Sequence, residues 1–195
     1  MIDLDQEYRT TVEHEHGSTT IALIEYPDVD DWMEVYRRAL ITAGKHRSKI
    51  PTSEWIEAIL EARHSPIRRA VYSFEFTSIP SNTSVHFCRH VHAQPYVSSL
   101  RNDRQEKLDG DAAPRCSPVD MILDINAEEL MVMANKRLCA QAAPVTRAIM
   151  QGMAKLAGEA TPEIRRFLVP MCQYHNGTCH EMRGCGACPP YTFFR

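Results

Sequence analysis

The sequence predicts an α+β fold, and three observations carry that expectation. A β-branched stretch near the N-terminus reads as a strand, and an aromatic stretch from residue 68 to 79 alternates as a half-buried strand does. Several later segments instead repeat apolar residues at helical spacing. Hydrophobic residues make up 44% of the 195-residue chain and charged residues 24%, a balance that excludes a largely disordered polymer. The length fits one domain, 1–195, carrying a cysteine-rich tail at 172–195.

In chain order, "STTIALIEYPDV" (18–29) reads as the first strand. "DDWMEVYRRALITAG" has an acidic start and a glycine stop, which predicts a helix. "TSEWIEAILEARH" predicts a second helix, capped by Thr52 or Ser53, with Trp55, Ile56, Ile59 and Leu60 on one face. The aromatic strand follows, and Pro80-Ser81-Asn82 then starts a short helix that runs into Arg89. "NDRQEKLDGDAAPRCSP" (102–118) is charged and rich in turn formers, as a surface loop is. Residues 126–143 predict one long amphipathic helix with Asn126 as its N-cap. Pro144 lacks the amide hydrogen a continuing helix needs, so a kink or restart is expected there. "VTRAIMQGMAKLAGEA" and "TPEIRRFLVP" are further helices before the tail.

A net charge of −3 argues against a surface that coats nucleic acid, so phosphate recognition would rest on a few placed arginines. No apolar run approaches the roughly 20 residues that span a bilayer, and no signal peptide opens the chain, so a cytoplasmic protein is expected. Four of the seven cysteines, Cys172, Cys179, Cys185 and Cys188, crowd into the tail beside His175 and His180. Such a group either holds zinc or is a set of free thiols; a second pair at zinc-finger spacing is missing, which favours the thiols and no metal.

The stretch "CRHVHAQPYVSSLRND" (88–103) concentrates the chemistry-capable groups. His90 and His92 would share one face if His90-Val91-His92 were a strand; Cys88 either pairs with one of these imidazoles as a nucleophile or is a buried free cysteine, the commoner state. Arg89, Arg101 and Arg137 stand in segments otherwise committed to the core. There an arginine either forms a buried ion pair or meets an anion, and Ser99 beside Arg101 tilts that choice towards phosphate.

Taken together, these segments resemble a known family. "RHVHAQPYVSSLRN" resembles the RHRxxSxxxxSxRY signature of the flavin-dependent thymidylate synthases, keeping Arg89, His90, Ser99 and Arg101 in register. "HSPIRRAVYSFEF" is similar to that family's His-Ser/Pro segment leading into an aromatic strand. "INAEELMVMANKRLCAQAAPVTR" is similar to its Asn-Ala…Leu-Arg-Leu-Cys helix, with Asn126, Arg137, Leu138 and Cys139 matched. "GTCHEMRGCG" is similar to its Gly-x-Cys-x-Glu…Cys-Gly ending.

The resemblance implies the thymidylate-synthase-complementing-protein-like fold: a central mixed sheet with long helices, assembled as a homotetramer with shared active sites. It implies FAD as cofactor, with NADPH and methylenetetrahydrofolate as co-substrates, for reductive methylation at C5 of a uracil nucleotide. Small-molecule nucleotide and folate are then the partners, with no nucleic acid polymer and no membrane. The resemblance assigns Arg89, His90, His92, Asn126 and Gln141 to the flavin. It assigns His86, Ser99, Arg101 and Arg137 to the nucleotide, with Arg137 and Arg89 catalytic.

The chain also departs from the family pattern. Val91 replaces the signature's second arginine, Gln94 its first serine and Asn102 its final tyrosine. Pro144 stands for a tryptophan and Arg69 for a histidine. Because the phosphate residues survive, Val91, Gln94 and Asn102 are expected to set sugar specificity, favouring UMP over dUMP. That pattern resembles the uridylate C5-methylases of polyoxin-type nucleoside antibiotic biosynthesis. A dUMP-specific synthase and a non-catalytic flavin- or nucleotide-binding homologue are the alternatives.

Overall fold

A computed structural model describes residues 8–46, 49–101 and 112–186. Its centre is a five-stranded sheet in the order β1-β2-β3-β5-β4. The strands are β1 (Arg9–His14), β2 (Gly17–Glu25), β3 (Val71–Pro80), β4 (Ala93–Val97) and β5 (Pro118–Asn126).

Every neighbouring pair is antiparallel, which corrects the expected mixed sheet. The reason lies in the long connection after β2. Helices α1 (Val29–Thr42) and α2 (Ser53–Glu61) take the chain out and back, and β3 then starts where β2 stopped, with Glu25 opposite Ser73. Asp28 closes a capping box on α1, and the Thr52 side chain accepts the Trp55 amide at the start of α2.

Alternation divides the sheet into two faces. Ile21, Leu23, Tyr72, Phe74, Phe76, Met121, Leu123 and Ile125 point into the core. There they meet Trp32, Val35, Ile59 and Leu60 from α1 and α2, and Ile149, Met150 and Met153 from α5 (Pro144–Ala160). On the opposite face, Tyr96, Ile122 and Glu75 lie in cross-strand register, and Glu75 opposes Ala22 on its other side. Tyr96 is 60% exposed and Ile122 36% exposed on that face.

Three strands differ from the sequence expectation. β1 is a polar edge strand folded onto β2 through Gly17, whose φ of 119° suits glycine alone. β4 lies within the stretch 88–103 and β5 before the Asn126 cap, where the sequence reading placed no strand. The expected loop at 102–118 falls for its first ten residues, 102–111, outside the described residues, so Asn102 does too.

The helix expected over 126–143 is shorter. Helix α4 spans Ala127–Arg137, and residues 138–143 form turns before Pro144 opens α5. Ala143 is extended, with ψ 137°, because a residue preceding proline is crowded out of the helical region. The expected restart at Pro144 is therefore present, and the break reaches back to Leu138. "TPEIRRFLVP" forms a 3-10 helix, Pro162–Phe167, and one further turn, α6 (Met171–Tyr174), precedes the tail. No described helix is long and apolar enough to cross a membrane.

Candidate functional site

The groups singled out in the sequence meet where three pieces of chain converge. Helix α3 (Ser81–Cys88) ends at Arg89, residues 89–92 turn, and β4 departs along the edge of the sheet. Helix α4 runs beside this turn, and the first turn of α5 closes the third side. Asn126 secures the start of α4, its side-chain oxygen accepting the Glu129 amide at 3.0 Å.

His90 and His92 do not share a strand face, which corrects that expectation. His90 is buried and His92 exposed, because the chain reverses between them instead of extending. His90 lies between two side chains of α4. Its Nδ1 is 2.8 Å from Glu129 Oε1, and its Nε2 accepts Arg137 Nε–H at 3.2 Å. Arg137 also donates through Nη2 to the carbonyl oxygen of His86 at 2.8 Å. His86 in turn meets the hydroxyl of fully buried Thr146 on α5, Nδ1 to Oγ1, at 2.7 Å.

The electrostatics follow from this packing. Burial, then the charges of Arg137 and Arg89, push the His86 imidazole below its ordinary value. Burial likewise pushes His90 down, opposed by its hydrogen bond to Glu129 and reinforced by the charge of Arg137. Desolvation and the neighbouring Arg89 lower Arg137 itself. Two guanidiniums thus stand close enough to repel, and the carboxylate that approaches them is held behind the imidazole of His90. Such a cluster suits an anion. Burial pushes the Cys88 thiol up, away from the thiolate a nucleophile needs.

The remaining candidates are placed as follows. Val91 is 83% exposed on the turn. Gln94 lies on β4 opposite Asp124, on the uncovered face of the sheet. Ser99 Oγ accepts the Arg101 backbone amide at 3.2 Å. Gln141 donates to the carbonyl oxygen of Arg183, and Lys136 pairs with Glu181 at 2.9 Å, so the tail crosses the end of α4. In that tail the His175 and His180 rings lie 4.3 Å apart. Among the described residues, no group of three or more His, Cys, Asp or Glu is placed to hold a metal, and Cys188 lies outside them.

Sequence reasoning missed Glu129 and Thr146. The spacing of Glu129, Met133 and Arg137, two steps of four on one helical face, was the available signal for the first. No comparable signal marks Thr146.

Neither family models nor curated proteins match the chain. Among solved structures it is similar to thymidylate synthase X from Helicobacter pylori, whose crystal structure contains FAD and dUMP. The TM-score is 0.61 at 16% identity, over 76% of this chain and 98% of that one. The fold is that of thymidylate synthase X. At this identity the likeness to thymidylate synthase X is one of architecture: an antiparallel sheet backed by helices.

Proposed function

We propose that this chain is a cytoplasmic, FAD-dependent uridylate C5-methyltransferase of the thymidylate-synthase-like kind. It acts as one domain over 1–195 and assembles as a homotetramer with shared active sites. UMP is the favoured substrate and dUMP the close alternative, with methylenetetrahydrofolate and NADPH as co-substrates.

One observation carries the reading. Arg89 and His90 come from one signature-like segment and Arg137 from another, and Arg137 hydrogen-bonds His90 across 47 residues of chain. The likeness to a flavin- and dUMP-bound structure supports it at the level of the fold.

The donor set fits an anionic cofactor. Arg89 would hold it, with His90 behind it and His92 on the exposed side of the turn, while Arg137 serves the nucleotide. When bound, FAD would supply the carriage of hydride and one-carbon unit. The chain's own part is positional and electrostatic. Arg137 spends two of its five N–H groups on His90 and the His86 carbonyl, and the others suit negative charge developing on a uracil ring. Ser99 and Arg101 would receive the nucleotide phosphate, and His86, kept neutral, would offer a hydrogen bond to the base. Asn126 and Gln141 would border the flavin. Gln141 would do so through the amide N–H and oxygen that its bond to the Arg183 carbonyl does not use. Val91 removes a positive charge from the turn and, with Gln94 and Asn102, sets which sugar is accepted.

Purified protein with the yellow absorbance of bound flavin, forming 5-methyl-UMP from UMP with both co-substrates, is the expected result. Methylation of dUMP alone sinks the ribose preference. Bound flavin without product from either nucleotide leaves the non-catalytic homologue as the answer.

A further inference from the structure

Glu129 is a buried acid, 8% exposed, in the first turn of α4. Its backbone amide is satisfied by Asn126, and its carboxylate is directed at His90. Glu129 and Arg137 are eight residues apart on one face of α4, about 12 Å along the axis at the usual rise. The imidazole of His90 fits between them and touches both.

The direction of each hydrogen bond can be derived. A guanidinium has donors only and keeps its protons in proteins. Since Arg137 Nε–H points at His90 Nε2, that nitrogen carries the lone pair. The ring proton is then on Nδ1, 2.8 Å from Glu129 Oε1, and the imidazole donates to the carboxylate. Guanidinium, imidazole and carboxylate form a chain with one possible polarity.

We propose that Glu129 is a positioning residue: it fixes His90 as the Nδ1–H tautomer and so holds the Arg137 guanidinium at the angle an anionic ring or phosphate requires. The assignment deepens the functional reading above and rests on it for the identity of the ligand.

A purely structural role explains the arrangement poorly. Replacing a buried charged set by packed apolar side chains is often neutral or stabilising, so three such groups in one pocket return little stability. A second proton on His90 would put an N–H against the Arg137 Nε–H and break that bond. The groups facing the ring are Glu129 and Arg137 from α4, and His86 and Arg89 from the end of α3 lie beside Arg137.

The test uses ligand-free, full-length protein labelled with 15N-histidine and 15N-arginine. Long-range imidazole spectra of the wild type should show a protonated Nδ1 and an unprotonated Nε2 at His90. In Glu129→Leu the tautomer should become mixed, and the Arg137 Nε–H should exchange about tenfold faster, the worth of one hydrogen bond to a charged group. In Glu129→Gln an acceptor remains, so the tautomer should hold while His90 titrates at lower pH. That second variant keeps the test decisive should the leucine protein fail to fold. A wild-type His90 protonated on Nε2, or a titration unmoved in Glu129→Gln, overturns the assignment. Unchanged Arg137 exchange in folded Glu129→Leu overturns it as well. Titration with UMP and dUMP is read separately: a wild type that binds neither refutes the nucleotide reading, while the spectra alone decide on Glu129.

Discussion

Arg137 shows how much one side chain is asked to do. It bonds a ring nitrogen and a carbonyl oxygen from the α3 side while resting on α4. Lysine keeps the charge but lacks the Nε–H and the planar fork, so Arg137→Lys should weaken UMP or dUMP binding by about 10–100-fold. Calorimetric titration checks this, and unchanged affinity would remove Arg137 from the site. The histidines make a second prediction at this scale. His86 and His90 titrate below the ordinary 6.5 when folded, so the unfolded chain takes up protons first as pH falls. Their contribution is fully present above that ordinary value and is lost as pH drops towards their folded values. Urea midpoints should therefore fall between about pH 7.5 and pH 5.5, and less steeply in His90→Gln. The sequence singles out Arg89, His90 and Arg137 because several signature positions stand in register, and the structure brings His90 and Arg137 into contact. Glu129 was not, because an acid in the first turn of a helix is common for reasons of capping and dipole alone.

Helices and strands were legible to different degrees, for physical reasons. α1 carried an acidic start and a glycine stop, α2 a cap and a clear apolar face, and the structure holds both. β4 was hidden by its five-residue length and by Pro95, which an edge strand tolerates. β5 alternates cleanly through Val119, Met121, Leu123 and Ile125, but it is wedged between a turn-rich loop and a helix cap, and no strand is expected there from the sequence. β1 is polar because it lies at the other edge. One packing contact between elements is testable. A Cβ at Gly152 of α5 would lie 2.7 Å from Ile21 Cδ1, 3.2 Å from Thr10 Cγ2 and 3.3 Å from Val12 Cγ2. The helix sits on the β1–β2 hairpin at that point, and Ile21 is fully buried. Gly152→Val should cost about 1–3 kcal/mol through overpacking, measured by denaturant unfolding. A neutral result would mean that the hairpin yields to the helix.

For the molecule as a whole, the uncovered sheet face bears on assembly. Tyr96 and Ile122 stand in register there with Glu75, beside a hollow of about 260 Å³ that also includes Asp120 and Met121. The tetramer reading predicts a sedimenting particle of four 22.2 kDa chains. Tyr96→Lys should shift it towards smaller species; a wild-type monomer at every concentration would refute the reading. The sheet order has a further consequence, for folding. β5 lies between β3 and β4, so β4 has no partner in the sheet until β5 arrives. The turn bearing His90 leads into β4, and the helix bearing Arg137 leaves from β5. The two halves of the site are therefore brought together by the same strand-pairing event. Leu123→Ala, a deletion at the buried centre of β5, should delay the protection of the His90 and Arg137 amides together in pulse-labelled exchange, while the β1–β2 hairpin keeps its own pace.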